Sequence, residues 1–420
     1  MRGRPLLYTS YETDQSLLPT ITKKVALAVF LLVLVTLPLA ASGAPGEARL
    51  LGFELPLIGF LSADTWLQLM GTACIYAIGA LGLNILTGLA GQVSLGHAFF
   101  MAVGAYTAAF LGSPESALLG MGLPMWIWLP MAGIIPAVIG LIVGPTAIRV
   151  RGLYLAIVTL GLVFIGEYVW RNWVSLTGGS QAGRTFPELQ VRLWKEETPL
   201  FDASIDSTWT SSEGQGFLFL LGFLIVFAVL AKNIQRTRAG RAFQAIRDRD
   251  VAAEVMGVDE VRYKLMAFGI SSFFAGIAGA LLASYFGRTI PETWGLLLSI
   301  QFIAIILIGG AGTVSGTLMG SAFVIMLPRI VQNFTQWLKT AVDSGQGVVA
   351  FIGDIFISTG PGDFGLINTA PGVAPGLSVF QLNQVLYGLL IIGFLIFEPL
   401  GLYGIWLRIR NYWKGWPFTY

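Results

Sequence analysis

The sequence predicts an all-α, polytopic integral membrane protein of about ten transmembrane helices, with both termini cytoplasmic. Three observations carry that prediction. Of 420 residues, 55% are hydrophobic and 11% charged, whereas an ordinary soluble domain carries about 25% charged residues. Mean hydropathy is +0.74. The basic residues are also spread unevenly over the segments that join the apolar runs. The 52 glycines suit close helix packing in a bilayer. One cysteine, Cys74, rules out an intrachain disulfide, and one histidine, His97, cannot build a structural zinc site of about four ligands.

The elements follow in order. A helix needs about 20 apolar residues to span a core of about 30 Å. The first run, 25–42, follows Lys23-Lys24 and ends in Ala-Ala-Ser-Gly-Ala, like a signal peptide. A 24-residue flank containing Glu12 and Asp14 instead predicts an uncleaved anchor. Runs 66–90 and 94–112 flank a glycine-rich break. Runs 125–148, 152–170, 216–231 and 265–286 are long and apolar. Runs 296–309 and 314–327 are short and fit either two spans or a broken, re-entrant pair. The last run is 383–400. The transmembrane domain is thus 25–400, between a tail at 1–24 and another at 401–420.

Charge orients these spans. Placing residue 1 inside puts 1–24, 91–93, 149–151, 232–264, 310–313 and 401–420 on the inner face. That face then carries a net +9 and the outer face −7, which together make the chain's +2. Lys and Arg favour the cytoplasmic side, so the eight basic residues of 232–264 belong inside. The longer segments 171–215 and 328–382 fall outside, the second with apolar stretches such as 348–352 that are too short to span.

Some chemistry is absent. No Gly-Lys dipeptide occurs, so there is no P-loop, and no HExxH, CxxC or GxSxG motif of an enzyme site is present. Apart from Glu167 and Glu398 at span ends, no carboxylate lies within a predicted span. A proton-coupled carrier ordinarily needs an ionisable relay at depth.

Two stretches of sequence can carry a mechanism. In 82–98, Gly82, Gly88, Gly91 and Gly96 weaken the helix. Asn84, Gln92, Ser94 and His97 there either line a polar path or belong to a closely packed turn. Tyr106, Thr159 and Glu167 are further path candidates, although Glu167 can instead pair with Arg171 one helical turn away. The pattern G-x-A-G-x-V-S at 88–94 recurs at 309–315, and paired glycine-rich breaks in two halves can mark a path. The second stretch, 238–258, is the one strongly charged segment of any length. It predicts a helix over 241–256 stopped by Gly257. Phe243 and Ile246, with Ala242 and Ala245, form an apolar edge, Ala252 and Ala253 a smooth patch, and Arg241, Arg247, Arg249 and Asp248 a charged rim, with Glu254 a further coupling candidate in the same stretch. This fits a helix gripped by a partner, or an ordinary positive-inside loop.

Four stretches resemble the LivM-type permease subunits of branched-chain amino acid ABC importers: GLNILTGLAGQVSLGHAFFMAVGAYTAA (82–109), 151–179 from RGLYLAIVTLG to SLTGG, GRAFQAIRDRDVAAEVMGV (240–258), and FEPLGLYGIW (397–406) before WPF at 416–418. Urea-type permeases share the architecture. The resemblance implies a non-catalytic subunit in the bacterial cytoplasmic (inner) membrane. It implies a LivH-like permease as partner, two cytoplasmic ATPases that bind ATP and Mg, an extracytoplasmic binding protein, and no nucleic acid or cofactor in this chain. It makes 241–257 the ATPase-coupling segment, with Ala252, Ala253 and Gly257 at matching places. The long N-terminal tail and the segments 186–213 and 335–378 depart from the family pattern and leave binding-protein docking open.

Overall fold

In the computed structural model the described residues are 21–38, 49–50, 53–54, 64–114, 118–149, 152–192, 201–202, 211–344, 357–358, 367–368, 377–398 and 400–415. The helices are α1 Ile21–Thr36, α2 Asp64–Leu83, α3 His97–Gly112, α4 Met125–Arg149, α5 Leu153–Asn172, α6 Val174–Thr177, α7 Gly179–Ala182, α8 Ser212–Arg236, α9 Arg238–Asp248, α10 Asp250–Val255, α11 Glu260–Phe286, α12 Leu296–Gly309, α13 Val314–Ser344, α14 Val379–Phe397 and α15 Gly401–Gly415. A π-helical turn, Asn84–Leu89, continues α2, and a 3₁₀ turn, Pro291–Trp294, precedes α12.

Among the described residues, six helical stretches are long and apolar enough to cross a membrane: Asp64–Leu89, Met125–Pro145, Tyr154–Asn172, Ser212–Arg236, Glu260–Phe286 and Val314–Trp337. Shorter apolar helices at Lys24–Thr36, His97–Gly112, Leu296–Gly309 and Gln384–Phe394 fall at the other predicted spans. One boundary differs from expectation. The run 314–327 is the first part of a 31-residue helix, so it is a full-length helix and not half of a short pair. Pro328 lies within it, where a helix supported by neighbours tolerates the lost bond. Helix α12 is indeed short, at 14 residues. Residues 348–352 lie outside the described residues, as do much of 186–213 and 335–378.

Helix α11 forms the centre, packed against α4, α3 and α2; α13 packs on α2, and α8 packs on α2 and meets α11 where Phe227 lies against Phe274. Small residues permit the approach. A Cβ on Gly104 of α3 would meet the Cα of Gly276 of α11, and one on Gly279 would meet the Met101 backbone. Helix α4 keeps Pro130, Pro136 and Pro145 within its length. Apolar side chains also face outward: Tyr154, Ile157, Ile165 and Tyr168 of α5 are exposed, as are Val29, Phe30 and Leu32 of α1. Such faces suit lipid or a partner helix.

At the end of α11 remote from α10, β1 (Arg184–Thr185) pairs antiparallel with β2 (Arg288–Thr289). Since α11 has 27 residues, it is about 40 Å long, enough to cross the core of about 30 Å. Its two ends are thus far enough apart to lie on opposite faces of a membrane.

Candidate coupling site

The charged segment folds as an arm of two short helices. Thr237 starts α9, its hydroxyl accepting from Gly240 N, a cap that satisfies one of the free N–H groups of a first turn. One face of α9 is buried, with Gly240, Ala242, Phe243 and Ile246. Phe243 is fully buried and meets Tyr263 of α11 edge-on at 6.1 Å. The single helix expected over 241–256 is broken at Arg249, whose backbone is extended (φ −157°, ψ 102°). Asp250 contributes to the break: its carboxylate accepts from Val251 N at 2.9 Å, a local bond that competes with the helix. Helix α10 then runs six residues, and Gly257, at φ +83°, ends the arm.

Burial redistributes the roles read from the sequence. Phe243 and Ile246 fasten the arm to its own body. Ala253 is buried and faces inward, whereas Ala252 is exposed. The outward apolar surface is instead Val251, Val255 and Met256, which are 62%, 82% and 83% exposed. Arg241, Asp248 and Glu254 are also exposed on the arm. Sequence reasoning passed over Val251, Val255 and Met256 because a six-residue helix has no periodicity to reveal its outer face.

The two glycine breaks meet beneath this arm. Asn84 in the π-helical turn accepts from Gly312 N at 2.7 Å and donates to Thr313 O at 3.3 Å. Arg247 of α9 donates to Gly88 O at 2.7 Å. Gln235, at the end of α8, donates to Gly312 O at 3.1 Å. A Cβ on Gly88 would lie 2.5 Å from Gly312 N, and one on Gly91, at φ +70°, 2.8 Å from Arg247 Cγ. Larger residues could not close this junction. A cavity of about 240 Å³ opens beside it, lined by Gly91, Gln92, Arg247, Asp248, Arg249 and Lys264 among others. Lys264 pairs with Glu260. Gln92 Nε2 donates to Lys264 O at 3.5 Å, and its buried side-chain Oε1 has no hydrogen-bond partner among the described residues.

The other path candidates are packed inside the chain. Asn84, Gln92, Ser94, His97, Tyr106 and Thr159 are all buried. Ser94 Oγ accepts from Gly96 N, and Thr159 Oγ1 accepts from Leu95 N. His97 packs on Phe302 with ring centroids 4.8 Å apart, and Tyr106 on Trp170 at 4.9 Å. Glu167 is half-buried at the opposite end of the molecule and pairs with Arg171 at 2.6 Å. Arg171 also pairs with Glu292 at 3.2 Å. The Ser180 hydroxyl, foremost, holds the Glu292 carboxyl below the usual carboxylate range, with Arg171 adding to the effect. Nearby, buried Arg184 donates to the carbonyls of Leu176, Ala109 and Leu119. Burial lowers its pKa from the ordinary guanidinium value. Nothing in the sequence distinguishes Arg184 from a surface arginine.

A family model described as branched-chain amino acid transport system / permease component matches residues 65–395. The chain belongs to this permease family. The match takes in the glycine junction, the arm and α11, and leaves out α1 and α15. The chain is a helical, multi-pass membrane protein. It is 32% identical over 276 residues to the high-affinity branched-chain amino acid transport system permease protein LivM of Salmonella typhimurium. It is 33% identical over 272 residues to LivM of Escherichia coli. Each alignment covers 63% of this chain and 63% of the relative, so the chain spans less than two thirds of the LivM proteins it matches. Against LivH of Salmonella typhimurium the identity is 27% over 252 residues, 58% of this chain and 78% of that protein. No solved structure matches the chain.

Proposed function

We propose that this chain is one of two membrane-spanning subunits of an ATP-driven importer for branched-chain or other hydrophobic amino acids, in the bacterial cytoplasmic membrane. The observation that carries this reading is the family match, which spans the glycine junction and the charged arm together. A LivH-like permease completes the path. Two cytoplasmic ATPases supply ATP hydrolysis and bind its Mg, and an extracytoplasmic protein delivers the amino acid. In this reading the chain catalyses no reaction itself, its ten helical spans leave both ends cytoplasmic, and Glu167 stands at the outer rim.

The ATPase docks on the arm at Val251, Ala252, Val255 and Met256, ringed by Arg241, Asp248 and Glu254. An apolar centre with a charged rim is the ordinary make-up of a specific interface. Phe243 and Ile246, buried against the body, make α9 the rigid lever of that contact. Closure of the ATPases on ATP pulls the arm, and the helices beneath it rock between inward- and outward-open arrangements.

Reconstitution in proteoliposomes tests the reading. With the second permease, the ATPases and a loaded binding protein, leucine uptake should require ATP and stop without the binding protein. Uptake by the chain alone without ATP would replace the importer with a secondary carrier. Urea uptake in place of leucine would move it to the amide-transporting branch.

A further inference from the structure

We propose that Arg247 and Gln235 are a two-point latch that carries the movement of the arm into both halves of the chain at once. The latch grips the backbone carbonyls of Gly88 and Gly312. It rests on the importer reading and adds a role for these residues within it.

The geometry singles out Arg247. In the sequence it belongs with the charged rim of an outward-facing helix. In the structure its Nη1 turns inward and donates to Gly88 O at 2.7 Å, 159 positions away along the chain. Its other nitrogens stay with neighbouring Asp248, Nη2 lying 3.2 Å from Oδ1. Gln235, at the end of the helix that leads into the same arm, donates to Gly312 O at 3.1 Å. Arg247 of the arm and Gln235 at the end of the helix that leads into it thus hold one carbonyl in each copy of the repeated glycine break. Asn84 ties the two copies directly, accepting from Gly312 N and donating to Thr313 O.

The gripped segment is irregular. Gly88 lies in a π-helical turn, a rare geometry that recurs at functional sites. The Asn84–Gly312 contact leaves no room for a Cβ at Gly88. Displacing α9 therefore shifts the end of α2 and the start of α13 together. Arg247 and Gln235 are positioning residues: they touch neither ATP nor substrate.

The test uses the assembled transporter in proteoliposomes, with leucine-loaded binding protein, reading leucine uptake and phosphate release together. Arg247 is substantially exposed, at 41% of its side chain, and α9 stays anchored by Phe243 and Ile246, so Arg247→Ala should fold and assemble. In Arg247→Ala, and independently in Gln235→Ala, ATP hydrolysis should remain within about two-fold of wild type while leucine moved per ATP falls about ten-fold. Arg247→Lys, which can still donate to Gly88 O, should recover part of the ratio. Unchanged leucine per ATP in both alanine variants would overturn the latch. So would parallel loss of ATPase subunits and uptake, which would place Arg247 in the ATPase contact. If the wild-type assembly shows no ATP-dependent leucine uptake, the importer reading itself falls, and the latch with it.

Discussion

Single residues near the face opposite the arm decide how that end holds together. Arg184 is a buried cation whose partners are three backbone carbonyls, from α3, from residue 119 and from α6. Such carbonyls cost free energy when left unpaired. Arg184→Leu should lower stability by about 3 kcal/mol, because one change strands several acceptors; a detergent melt against wild type measures it. Glu292 gives a pH signature. Its carboxyl is held below its ordinary value, first by the Ser180 hydroxyl. A folded-state pKa below the unfolded one contributes stability that is present above the unfolded value and lost as pH falls through the folded one. The thermal midpoint of wild type should therefore drop on going from neutral pH to below 4.5, and Glu292→Gln should flatten that dependence. An equal slope in the variant would place the acid sensitivity elsewhere. Neither residue was legible in the sequence. Apart from Leu176, 8 positions from Arg184, the partners named here lie 65 to 121 positions away, and no local pattern marks a burial created by chain return.

At the scale of elements, long apolar runs were readable because burial in lipid forces a continuous hydrophobic stretch and a fully bonded backbone. The stop at Gly257 was readable for the same kind of reason: positive φ selects glycine. What escaped was the inside of the arm. The spacing of Ala252 and Ala253 suggested a joint outward patch, but the break at Arg249 resets the helical phase and turns Ala253 inward. This makes a discriminating pair of variants. Val255→Asp, at an 82% exposed position, should leave folding unchanged and reduce ATPase co-purification. Ala253→Glu should instead destabilise the arm, since a charge there enters a packed site, at a cost of several kcal/mol unless it finds a partner. The readouts are size-exclusion profile and ATPase recovery. If Val255→Asp binds ATPase normally, the docking face lies elsewhere on the arm.

At the scale of the molecule, the fold makes its orientation testable with few changes. Helix α11 joins the arm at Glu260 to β2 beyond Phe286, and its length of about 40 Å separates the two faces. The unequal charge of those faces, net +9 around the arm side and −7 opposite, predicts that the arm is cytoplasmic. The sole cysteine, Cys74, is buried, so it should stay silent toward an impermeant maleimide. Two exposed positions then report the two faces: Glu254 on α10 and Glu188 after β1. In intact cells Glu188→Cys should label and Glu254→Cys should not. In inside-out vesicles the pattern should reverse. Labelling of Glu254→Cys from outside the cell would invert the topology. It would also remove the docking of cytoplasmic ATPases and the latch beneath it, because both require the arm to face the compartment that holds ATP.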